Sequence, residues 1–267
     1  MSQADNEDEN EIDEGFQETD GPQVLDGLPE NPPPENLSGA DGLKRLYGRR
    51  QGHNLSARQQ DLYDNFLPHI QLPDLRAEGS TLDPQSLFDD QKEDFWLEVG
   101  FGKGEHLAWQ AKTFPTIGMI GCEPYINGIA GMLAAIEENN ISNIRIYDYD
   151  ARNVMNALPD AVLGRVFLLH PDPWPKARHA KRRFVSQANL DEFARLLKDG
   201  AELRIGTDHP VYAQWTMTEM AKREDFVWMA ECAEDWRKSP DDWPKTRYET
   251  KQKDGIPVYL RFKRLPR

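Results

Sequence analysis

The first lysine or arginine of this 267-residue chain is Lys44, yet 13 of its 46 acidic residues lie before that point, from Asp5 to Asp41. A stretch without cations and with little apolar content cannot bury enough surface to offset the entropy of ordering. Residues 1–40, which include Asn31-Pro32-Pro33-Pro34, are therefore expected to form a disordered acidic tail. The formal charge of −14 is concentrated there: beyond residue 43, 33 acidic residues stand against 32 basic ones. A near-neutral body can still cluster its cations, so the low pI does not exclude a polyanionic partner.

Cysteine is scarce. Cys122 and Cys232 are too few for a disulfide framework, and neither is spaced with histidines as a metal site requires, so no metal is expected. Cys122 falls in the apolar run Ile117–Cys122 and reads as a buried thiol. No basic start precedes an apolar stretch at the N-terminus, and no run approaches 18 apolar residues. Neither a signal peptide nor a spanning helix is expected, which implies a cytoplasmic protein without a membrane partner. No internal repeat is visible.

Three parts follow from this patterning: the tail (1–40), a basic arm and lead-in (41–94) and a main domain (95–267). The arm holds Lys44, Arg45, Arg49, Arg50, His53 and Arg58 with Tyr47 among them. Charge alone leaves open whether it touches polyanion or is a solvated surface. The tail ahead of it either competes with polyanion for the arm or acts only as a solubilising segment.

Beyond Phe95, apolar runs alternate with amphipathic stretches. Strands are predicted at Phe95–Val99, Thr116–Cys122, Ile144–Tyr147, Arg165–His170, Glu202–Gly206, Phe226–Glu231 and Val258–Phe262. Helical spacing relates Ile129, Met132, Leu133 and Ile136, then Leu190, Phe193, Leu196 and Leu197, and more loosely Tyr212, Trp215 and Met220. Gly200 is placed as the C-cap of the second of these. The alternation implies a parallel α/β sheet with ligands at the carboxyl ends of its strands. No helix is read between the last two strands, which should pair as a long-looped antiparallel hairpin.

The first strand runs into Glu98-Val99-Gly100-Phe101-Gly102-Lys103-Gly104-Glu105, and a helix pattern follows through Leu107, Ala108 and Ala111. Gly100, Gly102 and Gly104 permit a tight turn close to a ligand. A dinucleotide fingerprint would need glycine where Glu105 stands, which excludes a nicotinamide oxidoreductase. A phosphate-cradling loop would need Ser or Thr after Lys103. Glu98, Glu123 and Asp150 fall at three successive strand ends. They would repel a phosphate-rich ligand but suit a sulfonium and an ammonium, pointing to S-adenosylmethionine.

The most specific segment is His170-Pro171-Asp172-Pro173-Trp174-Pro175-Lys176, followed by Arg178, His179, Lys181, Arg182 and Arg183. Two prolines fix the backbone about Asp172, and five cations fall in the eight residues from Lys176. This segment resembles the signature of the tRNA (guanine-N7)-methyltransferase family in its single-subunit bacterial form. Glu98–Gly104, Gly206-Thr207-Asp208, Thr246-Arg247-Tyr248-Glu249 and the start Arg45–Arg50 with Arg58-Gln59 agree with it. The likeness spans about residue 44 to 267. His209 departs from it, standing where Trp is expected.

The resemblance implies a class I S-adenosylmethionine-dependent methyltransferase fold, Rossmann-like, with a mostly parallel seven-stranded sheet and a C-terminal antiparallel hairpin. It implies methyl transfer from S-adenosyl-L-methionine to guanine 46 in the tRNA variable loop, with S-adenosyl-L-homocysteine as product and no obligatory protein partner. Glu98, Gly100, Gly102, Gly104, Glu123, Asp150 and Asp172 would line the cofactor site, and Asp172 would also be the catalytic residue. Lys176, Asp208, Thr246, Arg247, Tyr248 and Glu249 would contact substrate, and Arg178, His179, Lys181, Arg182 and Arg183 would lie on RNA.

Guanine N7 carries a lone pair and no proton, so the reaction needs orientation more than a base. Asp172 can accept from N1–H and the exocyclic amino group, and is expected to position the base. Two rival readings are disfavoured. A methyltransferase of exocyclic amino groups would show paired prolines, which Asp172-Pro173-Trp174-Pro175 lacks. A non-catalytic RNA-binding protein on a decayed scaffold would not retain the glycine loop and all four acidic positions.

Overall fold

The computed structural model describes residues 50–251 and 254–267; the tail 1–40 and Lys44, Arg45, Tyr47 and Arg49 of the arm lie outside the described residues. Seven strands form one sheet: β1 Asp94–Val99, β2 Ile117–Cys122, β3 Ile144–Tyr147, β4 Leu163–Leu169, β5 Leu197–Thr207, β6 Phe226–Trp228 and β7 Val258–Arg264. Their order is β3-β2-β1-β4-β5-β7-β6. Strands β1 to β5 pair in parallel, while β7 runs antiparallel to both of its neighbours. The chain leaves β1 for β2 on one side and returns to β4 on the other. That reversal opens a crevice at the carboxyl ends of β1 and β4.

Helices cover both faces: α1 Ala57–Asp61, α2 Leu67–Ile70, α3 Glu105–Thr113, α4 Ile126–Asn139, α5 Ala151–Ala157, α6 Gln187–Leu196, α7 Pro210–Met220, α8 Glu234–Arg237 and α9 Arg247–Lys251. Alternation along β1 explains the two layers. Phe95, Leu97 and Val99 join the core beneath α5, α6 and α7, whereas Trp96 faces α3 and α4. Leu97, Met119 and Ile120 are fully buried, each contributing roughly 1.5–3 kcal/mol relative to exposure. Among the described residues, no helix is long and apolar enough to cross a membrane.

The lead-in packs into this core. Ser56 and Gln59 form a reciprocal capping box at α1. Pro68, in the first turn of α2, lacks the N–H that would continue an α-ladder, and the preceding residues Leu62–Phe66 widen into a π turn. Leu62 and Leu67 join the layer of α3 and α4. Ahead of them the Arg50 carbonyl accepts from Ile126 N (2.9 Å), and the Asn127 amide bonds Gly52 N and His53 O. The end of the basic arm is thus fastened to the start of α4.

Three details differ from the sequence expectation. Gly200 does not cap α6, which ends at Leu196 as Leu197 enters β5; with φ +81° it sits where pairing with β4 skips from Leu197 to Glu202. A β-bulge and a helix cap make the same conformational demand of glycine. Strand β6 stops at Trp228 because Asp235 Oδ2 takes the amides of Glu231 and Cys232 and turns the chain. Two helices, α8 and α9, interrupt the connection to β7, although none was expected. Cys122 is buried, as its apolar setting suggested, and burial pushes its thiol well up.

Candidate active site

The turn after β1 places Gly100, Gly102 and Gly104 at φ +73°, +56° and +77°. Gly104 is doubly constrained: it precedes α3 in a left-handed conformation, and a Cβ there would lie 2.0 Å from Met132 Sδ. At Gly100 and Gly102 a Cβ would meet nothing, so backbone conformation requires these glycines and the loop borders open space. Glu123, which follows β2, braces the loop. Its Oε2 accepts from Gly102 N (2.8 Å) and its Oε1 from Tyr125 N (2.9 Å). Burial raises its carboxyl above the ordinary range; the two amides oppose that rise, while Asp172 and Glu98 add to it.

Glu98 is buried and its Oε2 lies 2.7 Å from His106 Nδ1. Gln110 Nε2 donates to the Asp242 carbonyl (2.7 Å) and stands 3.1 Å from His106 Nε2. With that amide donating on both sides, the imidazole carries its proton on Nδ1, toward Glu98. A polar chain therefore runs from the end of β1 through α3 to the segment ahead of α9. His106 and Gln110 are polar residues at i and i+4 beside the buried Leu107 and Ala111, a signal the sequence did contain. Asp150 caps α5 through Arg152 N and is paired with the Arg152 guanidinium.

Asp172 lies three residues beyond β4 and is exposed to solvent. The surrounding protein still desolvates its carboxyl enough to raise it. Its loop is shaped by Trp174 at φ +41°, whose ring lies under the Arg182 guanidinium (4.7 Å) and edge-on to His179. Arg178 and Lys181 are exposed; Arg183 is not. The Arg183 guanidinium turns inward, donates to the Pro173 and Trp174 carbonyls and packs over Trp215 at 4.6 Å. This corrects its expected place on RNA: it braces the Asp172 loop from below. Arg183→Ala removes those bonds and that packing, at a cost of about 1–3 kcal/mol. Thermal unfolding should then shift down by about 3–8 °C, whereas the same midpoint as wild type would contradict the brace.

The remaining sites converge from the far side. Asp208 follows β5 and is buried, with Oδ2 3.4 Å from Asp254 N. His209 caps α7 by accepting from Val211 N, which gives the departure from Trp a local purpose. Thr246 Oγ1 accepts from Glu249 N at the start of α9. Arg247 N donates to Glu105 Oε2 (2.7 Å), tying this segment to the first turn of α3. Tyr248 is 41% exposed, and burial of the rest of its ring, with Asp208, Asp254 and Asp172 nearby, raises its phenol. Glu249 faces inward toward Trp243 Nε1 (3.1 Å) and the Tyr259 hydroxyl (3.4 Å) and is not on an open edge. Lys176 is exposed at the start of the 3-10 turn 177–182. Among the described residues, no group of three or more His, Cys, Asp or Glu could hold a metal ion.

A mostly parallel sheet in this order, with a glycine turn and carboxylates along the edge where its strands end, has the fold of class I S-adenosylmethionine-dependent methyltransferases. The profile of a family described as "Putative methyltransferase" matches residues 92–258. A tRNA (guanine-N(7)-)-methyltransferase of Zymomonas mobilis is 47% identical over 225 residues, spanning 84% of this chain and 95% of the relative. Its counterpart from Rhodospirillum rubrum is 47% identical over 226 residues, 84% of this chain and 89% of the relative. That of Bradyrhizobium diazoefficiens is 46% identical over 226 residues, with 84% and 95% covered. The chain belongs to the tRNA (guanine-N(7)-)-methyltransferase family.

Proposed function

We propose that the protein methylates N7 of a guanine in tRNA, at position 46 of the variable loop, using S-adenosyl-L-methionine and releasing S-adenosyl-L-homocysteine. One observation carries the reading. Asp172, an exposed carboxylate, lies close enough to both Glu123 and Tyr248 for its charge to raise both acids. It stands where a cofactor held by the glycine loop and a base held by the 246–249 segment would meet.

The residues present fit such a cofactor. The space beside Gly100 and Gly102 is open, Glu98 has one carboxylate oxygen not used by His106, and each Glu123 oxygen has a lone pair beyond its amide bond. Glu123 would hold the ribose hydroxyls, and Glu98, Glu123 and Asp172 together would favour a cation. Asp150, already neutralised by Arg152, lines the far end and adds little to that attraction. Bound there, the cofactor supplies a methyl group on a positively charged sulfur.

Everything else falls to the chain's own groups. Asp172 accepts from N1–H and the amino group of guanine, which presents N7 for a direct displacement. Its negative charge also faces the positive charge that the purine gains. Thr246, Arg247 and Tyr248 border the same base in this reading, with Lys176 beside it. Arg178, His179, Lys181 and Arg182 form the phosphate-facing surface. A guanine in a folded tRNA core is reached by such shape and phosphate contacts and by displacement of the base.

Two measurements follow. A tRNA with guanine 46 replaced by adenine should accept no methyl group, and undiminished incorporation would overturn the assigned position. Replacing Arg178 and Lys181 together with alanine should lower the slope of log affinity against log salt by about 0.7–0.9 for each phosphate no longer neutralised. An unchanged slope would make this surface a bystander.

A further inference from the structure

Asp242 belongs to no strand or helix, yet three elements hold it. Its Oδ1 accepts from Arg204 Nη1 of β5 (2.8 Å), its Oδ2 from Arg165 Nη1 of β4 (3.0 Å) and its backbone carbonyl from Gln110 Nε2 of α3 (2.7 Å). The next residue, Trp243, is buried. Its ring stands edge-on to Tyr259, with centroids 5.1 Å apart, and lies 5.8 Å from His106. A Cβ on Gly206 would come within 2.8 Å of Trp243 Cζ2, so glycine at the end of β5 makes room for the indole. From that seat Trp243 Nε1 donates to Glu249 Oε1 (3.1 Å), six residues further along the chain.

Charge explains why this attachment is firm. The Arg204 side chain is 2% exposed, and a buried guanidinium stripped of a partner is far costlier than an exposed one. Glu202 pairs with Arg204 and is shared with Arg261. Among the described residues, Asp242 is the acid within ion-pair distance of Arg165 and the second one on Arg204. The chain carrying that carboxylate is therefore drawn down onto β4 and β5. Helix α9, at five residues, is too short to hold a place by its own hydrogen bonds. Its position comes from its attachments: the Asp242-Trp243 pair ahead of it, the bond from Arg247 N to Glu105, and the contact of Glu249 with Tyr259.

We propose that Asp242 and Trp243 are positioning residues, which anchor the 246–249 segment to β4, β5 and α3 and so set it in place beside Asp172. This rests on the reading of that segment as the guanine-binding side. Neither residue meets the base; each acts through Glu249 and its neighbour Tyr248. Without the anchor the segment must be ordered each time tRNA binds. If about a tenth of the molecules hold it in place, apparent affinity for tRNA falls about tenfold. The cofactor side is held separately, through Glu123, Gly102 and Tyr125, and does not feel the loss.

The test uses the full chain with two substitutions, alone and together. Asp242→Asn keeps the side chain's shape and the carbonyl for Gln110 but removes the charge. Trp243→Phe keeps a ring against Gly206 but removes the indole N–H. Amide hydrogen exchange without substrates reads the anchor directly. Arg247, Glu249 and Thr250 should lose most of their protection in the double variant and part of it in each single one, while Gly102 and Tyr125 keep theirs. The single variants decide the matter if the double one does not fold. Faster exchange confined to this segment upholds the anchor even if wild type methylates no tRNA, and unchanged exchange overturns it whatever the activity. With wild type active, KM for tRNA should rise roughly tenfold in the double variant while KM for cofactor stays within about twofold. A loss confined to kcat, as from a fraction of unfolded protein, or wild-type KM values despite faster exchange, overturns the positioning role.

Discussion

Replacing Glu123 with alanine is expected to weaken cofactor binding at least tenfold, the largest loss from any single change on that side of the site. Two effects combine. The carboxylate that would accept the ribose hydroxyls is removed, and hydrogen bonds to a charged group contribute roughly 1.5–3 kcal/mol each. The glycine turn also loses its brace, because Gly102 N and Tyr125 N both donate to this carboxylate. Glu123→Gln should fall between the alanine variant and wild type, since its single amide oxygen can satisfy one of the two backbone donors. The acid dependence has a definite sign. Burial raises the Glu123 carboxyl, so the ionised form that would bind ribose is lost on acidification at a higher pH than for a free glutamate. Calorimetric titration of Glu123→Ala that returns the wild-type affinity would remove Glu123 from the cofactor site.

The second large effect is expected at Asp172, and in the chemical step. Guanine offers donors at N1 and at its amino group. Asp172→Asn turns one carboxylate oxygen into an NH₂, which sets a donor against a donor. It also removes the negative charge that would face the purine as it becomes cationic. Loss of one such group typically costs about 10²–10³ in rate, so the single-turnover rate at saturating cofactor should drop by about a hundredfold or more. Stability should not suffer. Desolvation raises the Asp172 carboxyl, so ionising it opposes folding, and that opposition grows as pH rises past the unfolded value and levels off above the folded one. The neutral variant should unfold at or slightly above the wild-type midpoint. Activity should decline on acidification at a pH above the usual aspartate range, with no rise near neutrality, because no base is titrating there. A wild-type single-turnover rate for Asp172→Asn would exclude both positioning and charge stabilisation.

What the sequence made legible and what it did not divide along a physical line. The glycine turn and the acids at strand ends were readable because the covalent chain itself puts residues 98, 123, 150 and 172 at the carboxyl edge once the strands are placed. Helices α4 and α6 were readable for the same reason, their apolar residues repeating at 3.6. The direction in which a side chain turns is set by tertiary packing. Arg183 belongs to the cationic run by sequence, but it precedes Phe184 and the buried Val185, and the entry into that buried stretch carries its guanidinium inward. His170 is one more residue at the end of an apolar strand until β5 and α9 bring Asp208 and Glu249 to its two nitrogens. Trp243, whose indole holds Glu249, sits in a segment with no periodicity at all. Helices α8 and α9, at four and five residues, are shorter than any hydrophobic repeat can reveal.

The central claim, that this chain methylates N7 of guanine in tRNA, is most directly tested by the product. Purified protein would be incubated with methyl-labelled S-adenosylmethionine and bulk tRNA lacking this modification, and the tRNA then digested to nucleosides and separated. Label is expected in 7-methylguanosine, from wild type and not from Asp172→Asn over the same interval. Label in a guanosine methylated at the exocyclic amino group, or no label from a protein that binds the cofactor, would contradict the assignment.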